Sequence, residues 1–314
     1  MERLSTLAMK NKQIKLRPAT LFDLDIVCNL MFQQNTADFG SALLSIEDLR
    51  QRWQAPDFSL SEHSRIAFSA NEQILGYAEI RPYRPQKFST QLYLAPGPSS
   101  FDIGQQLLAA LAAELAAGSQ LVAQLSGKNL QNQHIFTRAN YSQGLTFLMM
   151  EIELDEKPPV PKWPEGVGVR PFQPNQDEQA TYATDEEASL DKGYSNPMSF
   201  PEWAKRMSLH TDRFDPTLWL LACHHEEVVG VSLNFYLPES NCGLIDHLGV
   251  RRAWRGRGIG LALLQQSFAA FFARGITKIK LNVDSGSLTN APRLYEKAGM
   301  KTVQTYHIFS KTII

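Results

Sequence analysis

The chain has 314 residues, with 31 Lys and Arg against 32 Asp and Glu, a length that suits two domains of about 150 residues. A charge this close to zero excludes the global positive field that draws a protein onto nucleic acid or an anionic membrane. Cys28, Cys223 and Cys242 are odd in number and widely spaced, which excludes a disulfide framework, offers no metal-ligand spacing and fits a reducing compartment.

The N-terminus "MERLSTLAMKNKQ" has no apolar stretch of signal-peptide length, and no run of about 18 uncharged apolar residues follows. Residues 1–13 are expected to be a lead-in, and the protein to be cytoplasmic, with no membrane partner. A first domain is expected over 14–155. It opens on "KLRPAT", passes through a hairpin at "EQILGYAEI" and a helix at "FDIGQQLLAALA", and reaches a second helix at "HIFTRANY". Residues 156–166 then bring Pro158, Pro159, Pro161 and Pro164, which deny the backbone both helix and central strand and predict a semi-rigid linker.

The second domain, 167–314, repeats the first. "GVRPFQ" sets Arg170 opposite Arg17, "EEVVGVSLN" sets Gly230 opposite Gly76, "GRGIGLALLQQSF" sets Gly260 opposite Gly104, and "RLYEKAGM" sets Tyr295 opposite Phe136. Four landmarks in order at an offset of about 155 residues mean tandem domains of one plan, since a solenoid's period is far shorter. In each half the pattern is strand, one or two helices, hairpin, strand, helix, strand, helix, strand. The segment "TDEEASLDKGYSNPMSFPEW" puts Asp185, Glu186, Glu187 and Asp191 near Tyr194 and Trp203; such acidity suits a cationic ligand or a solvated helix face. "HHEE", His224 to Glu227, is expected to be a hairpin turn whose adjacent histidines point apart, not a metal site. Leu261, Leu264, Phe268 and Phe271 mark a helix's buried stripe, and Ile279, Leu281 and Val283 alternate as in a half-buried strand.

Between the strand "GLIDHLGV" and that helix lies "RRAWRGRGIG", residues 251–260, with four arginines and three glycines. A glycine-rich turn opening a helix exposes backbone N–H groups at a positive helix end, an anion site. Gly256, Gly258 and Gly260 let the backbone approach closely, and Arg255 and Arg257 add charge-assisted bonds suited to a pyrophosphate. No G-x-x-x-x-G-K-[ST] is present, and Leu263 stands where a dinucleotide fold needs Gly or Ala. A solvated basic turn or an RNA patch is the alternative, but Trp254 alone offers a stacking surface nearby.

Arg255-x-x-Gly258-x-Gly260 resembles motif A of the GNAT acetyltransferase superfamily, and "NAPRLYEKAGM" resembles its second conserved block. The elements fall in GNAT order over Val167 to Ile314. The resemblance implies an α/β (α+β) chain of two tandem GNAT folds, each a mixed, centrally splayed β-sheet flanked by helices. It implies acetyl-CoA as cosubstrate and no metal. The pantetheine arm would lie along Leu248, Gly249 and Val250, and the pyrophosphate on Arg255, Gly256, Arg257, Gly258, Ile259 and Gly260. Tyr295 would be the general acid for the leaving thiolate. An asparagine common in the family before this helix is Ser287 or Leu288 here, and whether Asn290 takes over its contact stays open. The base for the amine would be Asp246 or His247, which alternation sends to opposite faces; Asp246 is favoured, and a strand-edge ion pair is the other account of both.

In the first half "SSFDIG" replaces "RGRGIG", so Ser99 and Phe101 stand for both arginines, Asp102 brings a negative charge, and Phe136 lacks the hydroxyl of Tyr295. By the repeat and the resemblance, that half is expected to be a degenerate GNAT fold with a structural or substrate-shaping role. The layout is similar to that of mycothiol synthase-like proteins, in which the C-terminal module is active. The expected activity is direct N-acetyl transfer to a primary amine of a small molecule or peptide by a monomer or homodimer, with no nucleic-acid partner. The alternative is an acyl-CoA-binding regulatory module without turnover.

Overall fold

A computed structural model describes residues 14–40, 45–191, 197–209, 211 and 214–314. The expected lead-in 1–13 and Tyr194 lie outside these residues. In chain order the elements are β1 (Lys15–Arg17), α1 (Leu24–Phe39), α2 (Ile46–Trp53), α3 (Leu60–His63), β2 (Ser64–Phe68), β3 (Ile74–Arg84), β4 (Lys87–Leu94), α4 (Ser100–Ala112), β5 (Gln120–Ser126), α5 (Leu130–Arg138) and β6 (Ser142–Glu153). There follow β7 (Val167–Pro171), α6 (Glu178–Ser189), α7 (Phe200–Arg206), β8 (Leu220–His224), β9 (Glu227–Leu237), β10 (Cys242–Val250), α8 (Ile259–Phe272), β11 (Lys278–Asp284), α9 (Ala291–Lys297) and β12 (Lys301–Thr312).

Two compact units result, one running to Thr146 and adding Thr305–Ile314, the other spanning Phe147–Gln304. The first has strand order β1-β2-β3-β4-β5-β12 and the second β7-β8-β9-β10-β11-β6. Among the described residues, the β4–β5 pair in the first unit and the β10–β11 pair in the second are parallel and the others antiparallel. These units differ from the boundaries expected at 155 and 167. Tyr306–Thr312 pairs with β5 in the first unit, and Phe147–Glu153 pairs with β11 in the second, so the proline-rich segment falls inside the second unit.

The parallel pairs are short. β10 bonds β11 only over Cys242–Ile245 and β4 bonds β5 only over Lys87–Ser89, after which the strands part, so both sheets are splayed at the centre. Helices cover both faces. In the second unit Leu264, Phe268 and Phe271 of α8 pack on Ile279, Leu281 and Val283 of β11, while Trp203 and Met207 pack on Trp219, Val231 and Leu233. Truncating a buried phenylalanine such as Phe268 to Ala would cost about 3–5 kcal/mol. Leu261 leaves the expected stripe: it is half-buried, and Leu263 takes its place in the core.

The repeat has a physical basis. Arg17 makes two bonds of 2.7 Å to the carboxylate of Asp23, the residue before α1, and Arg170 makes bonds of 2.5 and 2.8 Å to Asp177, the residue before α6. These bidentate pairs tie the first strand of each unit to its first long helix.

Candidate active site

The site is built where β10 ends. Arg251 N–H donates to Val229 O at 3.0 Å, so alternate residues Gly249 and Arg251 bond β9, and Leu248 and Val250 turn their backbone groups into the splay. Val250 O accepts from Arg255 Nε at 3.0 Å; among the described residues no side chain bonds the Leu248 carbonyl or the Val250 N–H. Across from them Ala188 of α6 sits so close that a Cβ on Gly249 would lie 2.6 Å from its own Cβ.

Two glycines shape the turn that follows. Gly256 has φ 74° and Gly258 φ 88°, the left-handed region that a side chain disfavours. Gly258 caps α8, and the first helical bond runs from Ala262 N–H to Gly258 O at 3.1 Å. The N–H groups of Gly258, Ile259, Gly260 and Leu261 therefore point out of the helix's first turn. Gly260 packs against α9, where a Cβ would meet Leu294 at 3.2 Å, and the Ile259 side chain is core. At α9, Asn290 adopts φ 58° and accepts the Arg293 N–H through its carbonyl at 3.1 Å. Tyr295, 7% exposed, lies on that helix between the core and the splay.

One open pocket of about 460 Å³ is lined by Leu248, Gly249 and Val250, by Arg255, Gly256, Gly258, Ile259 and Gly260, and by Tyr295, all expected from the sequence. Ala188, Trp254, Leu261, Thr289, Ala291, Arg293, Leu294 and Lys297 complete it. Asp246, His247, Arg257 and Asn290 lie off its walls. Arg257 instead stacks over the Trp254 ring at 4.7 Å and donates to Ala253 O at 3.2 Å.

The arginine run is largely answered by α6. Arg251 bonds Glu187 at 2.7 Å and Glu227 at 2.8 Å, while Arg252 and Arg255 share Asp191. The two guanidiniums pull the Asp191 carboxyl down to about 2, and the bond from Arg251 lowers Glu187. Arg251 and Arg252 are thus ion-paired, and Glu187 and Asp191 answer the turn's own arginines.

Asp246 and His247 do not fall on opposite faces as alternation requires. A bulge between Ile245 and His247 adds a residue to β10 and re-aims the strand, leaving His247 Nε2 3.6 Å from Asp246 Oδ2. His247, 7% exposed, has Nδ1 2.8 Å from Asp185 Oδ1, and Asp185 Oδ2 accepts the Trp203 indole N–H at 2.9 Å. Arg206 Nη2 stands 3.4 Å from Nε2. A carboxylate on Nδ1 fixes the imidazole and presents Nε2 as an acceptor. His224 and His225 also depart from expectation: their rings lie 4.4 Å apart, because φ 52° at His225 swings its side chain back. Burial raises the thiols of Cys28, Cys223 and Cys242, against a nucleophilic role.

Residues 181–300 match the Acetyltransferase (GNAT) family model. The crystal structure of a GCN5-related N-acetyltransferase from Sphaerobacter thermophilus superposes with a TM-score of 0.74 at 30% identity, covering 96% of each chain. The chain belongs to the GNAT family. A tandem GNAT protein from the clavulanic acid biosynthesis pathway shares the fold at a TM-score of 0.65 and 12% identity, over 96% of this chain and 99% of that one. The "mycothiol acetyltransferase" of Streptomyces scabiei is 27% identical over 242 residues, 76% of this chain and 77% of the relative. The protein is accordingly an acyltransferase of the GNAT type, and GNAT acetyltransferases use acetyl-CoA as cosubstrate. Among the described residues no helix is long and apolar enough to cross a membrane.

Sequence reasoning missed Ala188 and the pairing of Asp185 with His247. Aligning α6 with α1 from their Arg–Asp pairs would have flagged Ala188, which stands opposite Gln34. Nothing local signals the bulge that brings His247 to Asp185.

Proposed function

We propose that the protein transfers the acetyl group of acetyl-CoA directly to a primary amine of a small molecule or peptide, and that the second unit does the chemistry. The observation that carries this is the convergence, in one pocket, of the Leu248 carbonyl and Val250 N–H, which no described side chain bonds, open N–H groups at the start of α8, and Tyr295. These are the donors that an amide arm, a pyrophosphate and a leaving thiolate each need. Domain limits at 147–304 for the catalytic unit belong to the same proposal, as does a structural or substrate-shaping role for the degenerate first unit.

The backbone of Leu248 and Val250 holds the arm, and an N–H there polarises the thioester carbonyl as charge develops, a donor worth roughly 3 kcal/mol. The first turn of α8 takes the pyrophosphate with Arg255, which exchanges Asp191 for phosphate oxygens, and Arg257 adds charge from the Trp254 face. The amine nitrogen attacks the carbonyl carbon and the C–S bond breaks. Its proton passes to His247, oriented by Asp185, or to the neighbouring Asp246, and Tyr295 protonates the thiolate.

The relatives named mycothiol acetyltransferase support including a mycothiol-type acceptor in the amine panel. Incubating the full chain with acetyl-CoA and that panel should release free thiol above background. Tight acetyl-CoA binding with no thiol release from any amine would replace this proposal with a binding module that does not turn over.

A further inference from the structure

The first unit has the same splay, with a pocket of about 330 Å³ between Leu92 of β4 and Leu125 of β5, but there the strand's backbone is bonded from within. Ala95 N–H donates to Leu75 O at 3.0 Å, so Leu92 and Leu94 of β4 turn their backbone groups into the gap, as Leu248 and Val250 do in β10. There Gln34 of α1 meets them. Its Nε2 donates to Leu92 O at 3.0 Å and its Oε1 accepts the Leu94 N–H at 2.9 Å. Asn132 Nδ2 donates to the same Leu92 oxygen at 3.1 Å. One side-chain amide thus makes both bonds that a neighbouring strand, or the amide of an extended ligand, would make.

The second unit differs at the position of Gln34. α1 and α6 start from the corresponding residues Asp23 and Asp177, and the eleventh residue after each is Gln34 and Ala188. Ala188 lines the pocket beside Leu248 and Val250 but ends at Cβ, so it can bond neither.

We propose that this position decides which half of the chain accepts the amide arm of an acyl-CoA: Gln34 satisfies the first unit's strand and shuts it, and Ala188 leaves the second unit's strand open. The inference rests on the acyl-CoA assignment above. A ligand entering the first unit must displace both bonds of Gln34 before making its own, and it finds no exposed turn like that before α8, because the corresponding residues are already helical in α4, where Ile103 N–H is spent on Ser99 O at 3.1 Å.

The test has a ligand-free arm and a ligand arm, both on the full chain. In amide hydrogen exchange, Leu94 should be protected and Val250 should exchange freely. Q34A should speed Leu94 exchange about fivefold, and A188Q should slow Val250 about fivefold, the effect of one net hydrogen bond. In calorimetry A188Q should weaken acetyl-CoA about 30-fold, the effect of two bonds denied to the arm. It should leave adenosine 3′,5′-bisphosphate binding within twofold. Unchanged Val250 exchange in A188Q, or full acetyl-CoA affinity in that variant, overturns the proposal. If the wild type ignored acetyl-CoA while the exchange pattern held, the acyl-CoA assignment would fall and the closure by Gln34 would stand.

Discussion

Removing Asp185 separates packing from orientation at the candidate base. The residue is 2% exposed; its Oδ2 accepts from Trp203, itself fully buried, and its Oδ1 lies against His247. Asp185→Ala leaves two buried donors without that acceptor; at about 1–3 kcal/mol for each orphan, the expected loss is about 2–6 kcal/mol. With about 2–4 °C for each kcal/mol in a unit of this size, the melting midpoint should fall by roughly 10 °C. Asp185→Asn keeps an acceptor oxygen for Trp203 but turns an NH2 toward His247, so Nδ1 must accept and Nε2 must carry the proton. Stability should then drop by only about 1 kcal/mol, while turnover at neutral pH drops at least ~10-fold because the base holds the wrong tautomer. Urea denaturation followed by tryptophan fluorescence and steady-state thiol release read the two effects. Full turnover in Asp185→Asn would remove His247 from the mechanism and return the role to Asp246; an Asp185→Ala protein within about 1 kcal/mol of wild type would contradict the buried network itself.

Tyr295→Phe is expected to lower turnover by about 10- to 100-fold and to leave acetyl-CoA affinity within about twofold, since the hydroxyl serves the leaving group and the ring serves the core; equal turnover would assign the tyrosine to packing alone. Asp191→Asn frees Arg252 and Arg255 from a competing carboxylate, and acetyl-CoA should bind about threefold tighter at low salt, with the gain fading as salt rises; weaker binding would mean that Asp191 positions the turn. Acid should loosen both units. The bond from Arg170 holds Asp177 below the ordinary carboxylate value of 3.8, and at Asp23 burial pushes the other way but is outweighed by the bonds from Arg17 and Thr20. Both folded-state values lie below the unfolded one, so their stabilisation is complete above about pH 4 and is lost as pH falls through the lowered values. Asp177→Asn should flatten that decline in denaturation curves, and an unchanged slope would refute the linkage.

What could be read from the sequence was local or periodic. The tandem plan was visible because Arg17 and Arg170 each hold the residue that starts a helix, and a repeated ion pair leaves a repeated letter. The turn before α8 was visible because Gly256 and Gly258 adopt a backbone that few other residues tolerate. Illegible features depend on pairing between distant segments. Which sheet takes Phe147–Glu153 and which takes Tyr306–Thr312 is set by edge-to-edge hydrogen bonding, and alternation within a strand does not encode its neighbour. The bulge at Asp246 adds one residue without disturbing the apolar pattern, yet it re-aims His247 toward Asp185, 62 positions away. The arginine run is legible as charge but not as pairing, because its carboxylates lie on α6.

Comparing the two copies also sorts residues that one copy alone leaves mixed. Gly104 and Gly260 persist in both, and each admits the following helix: a Cβ would lie 2.9 Å from Ile135 in one unit and 3.2 Å from Leu294 in the other. Ile103 and Ile259 persist as core. These are requirements of the fold, and the Gly260 and Ile259 side-chain positions say nothing about a ligand; their N–H groups do. Gly256 and Gly258 meet no atom that a Cβ would strike, and the first unit replaces them with Ser100 and Asp102 inside α4, which begins further ahead of Gly104 than α8 begins ahead of Gly260. A glycine that packing does not demand, held at positive φ in one copy and lost in the other, is retained for the N–H groups its turn exposes. The same logic applies at Gln34 and Ala188, where the larger residue belongs to the unit without a cradle. The positive-φ glycine turn and the strand opening are therefore present together in one unit and absent together in the other, as the proposal of a single extended ligand site expects.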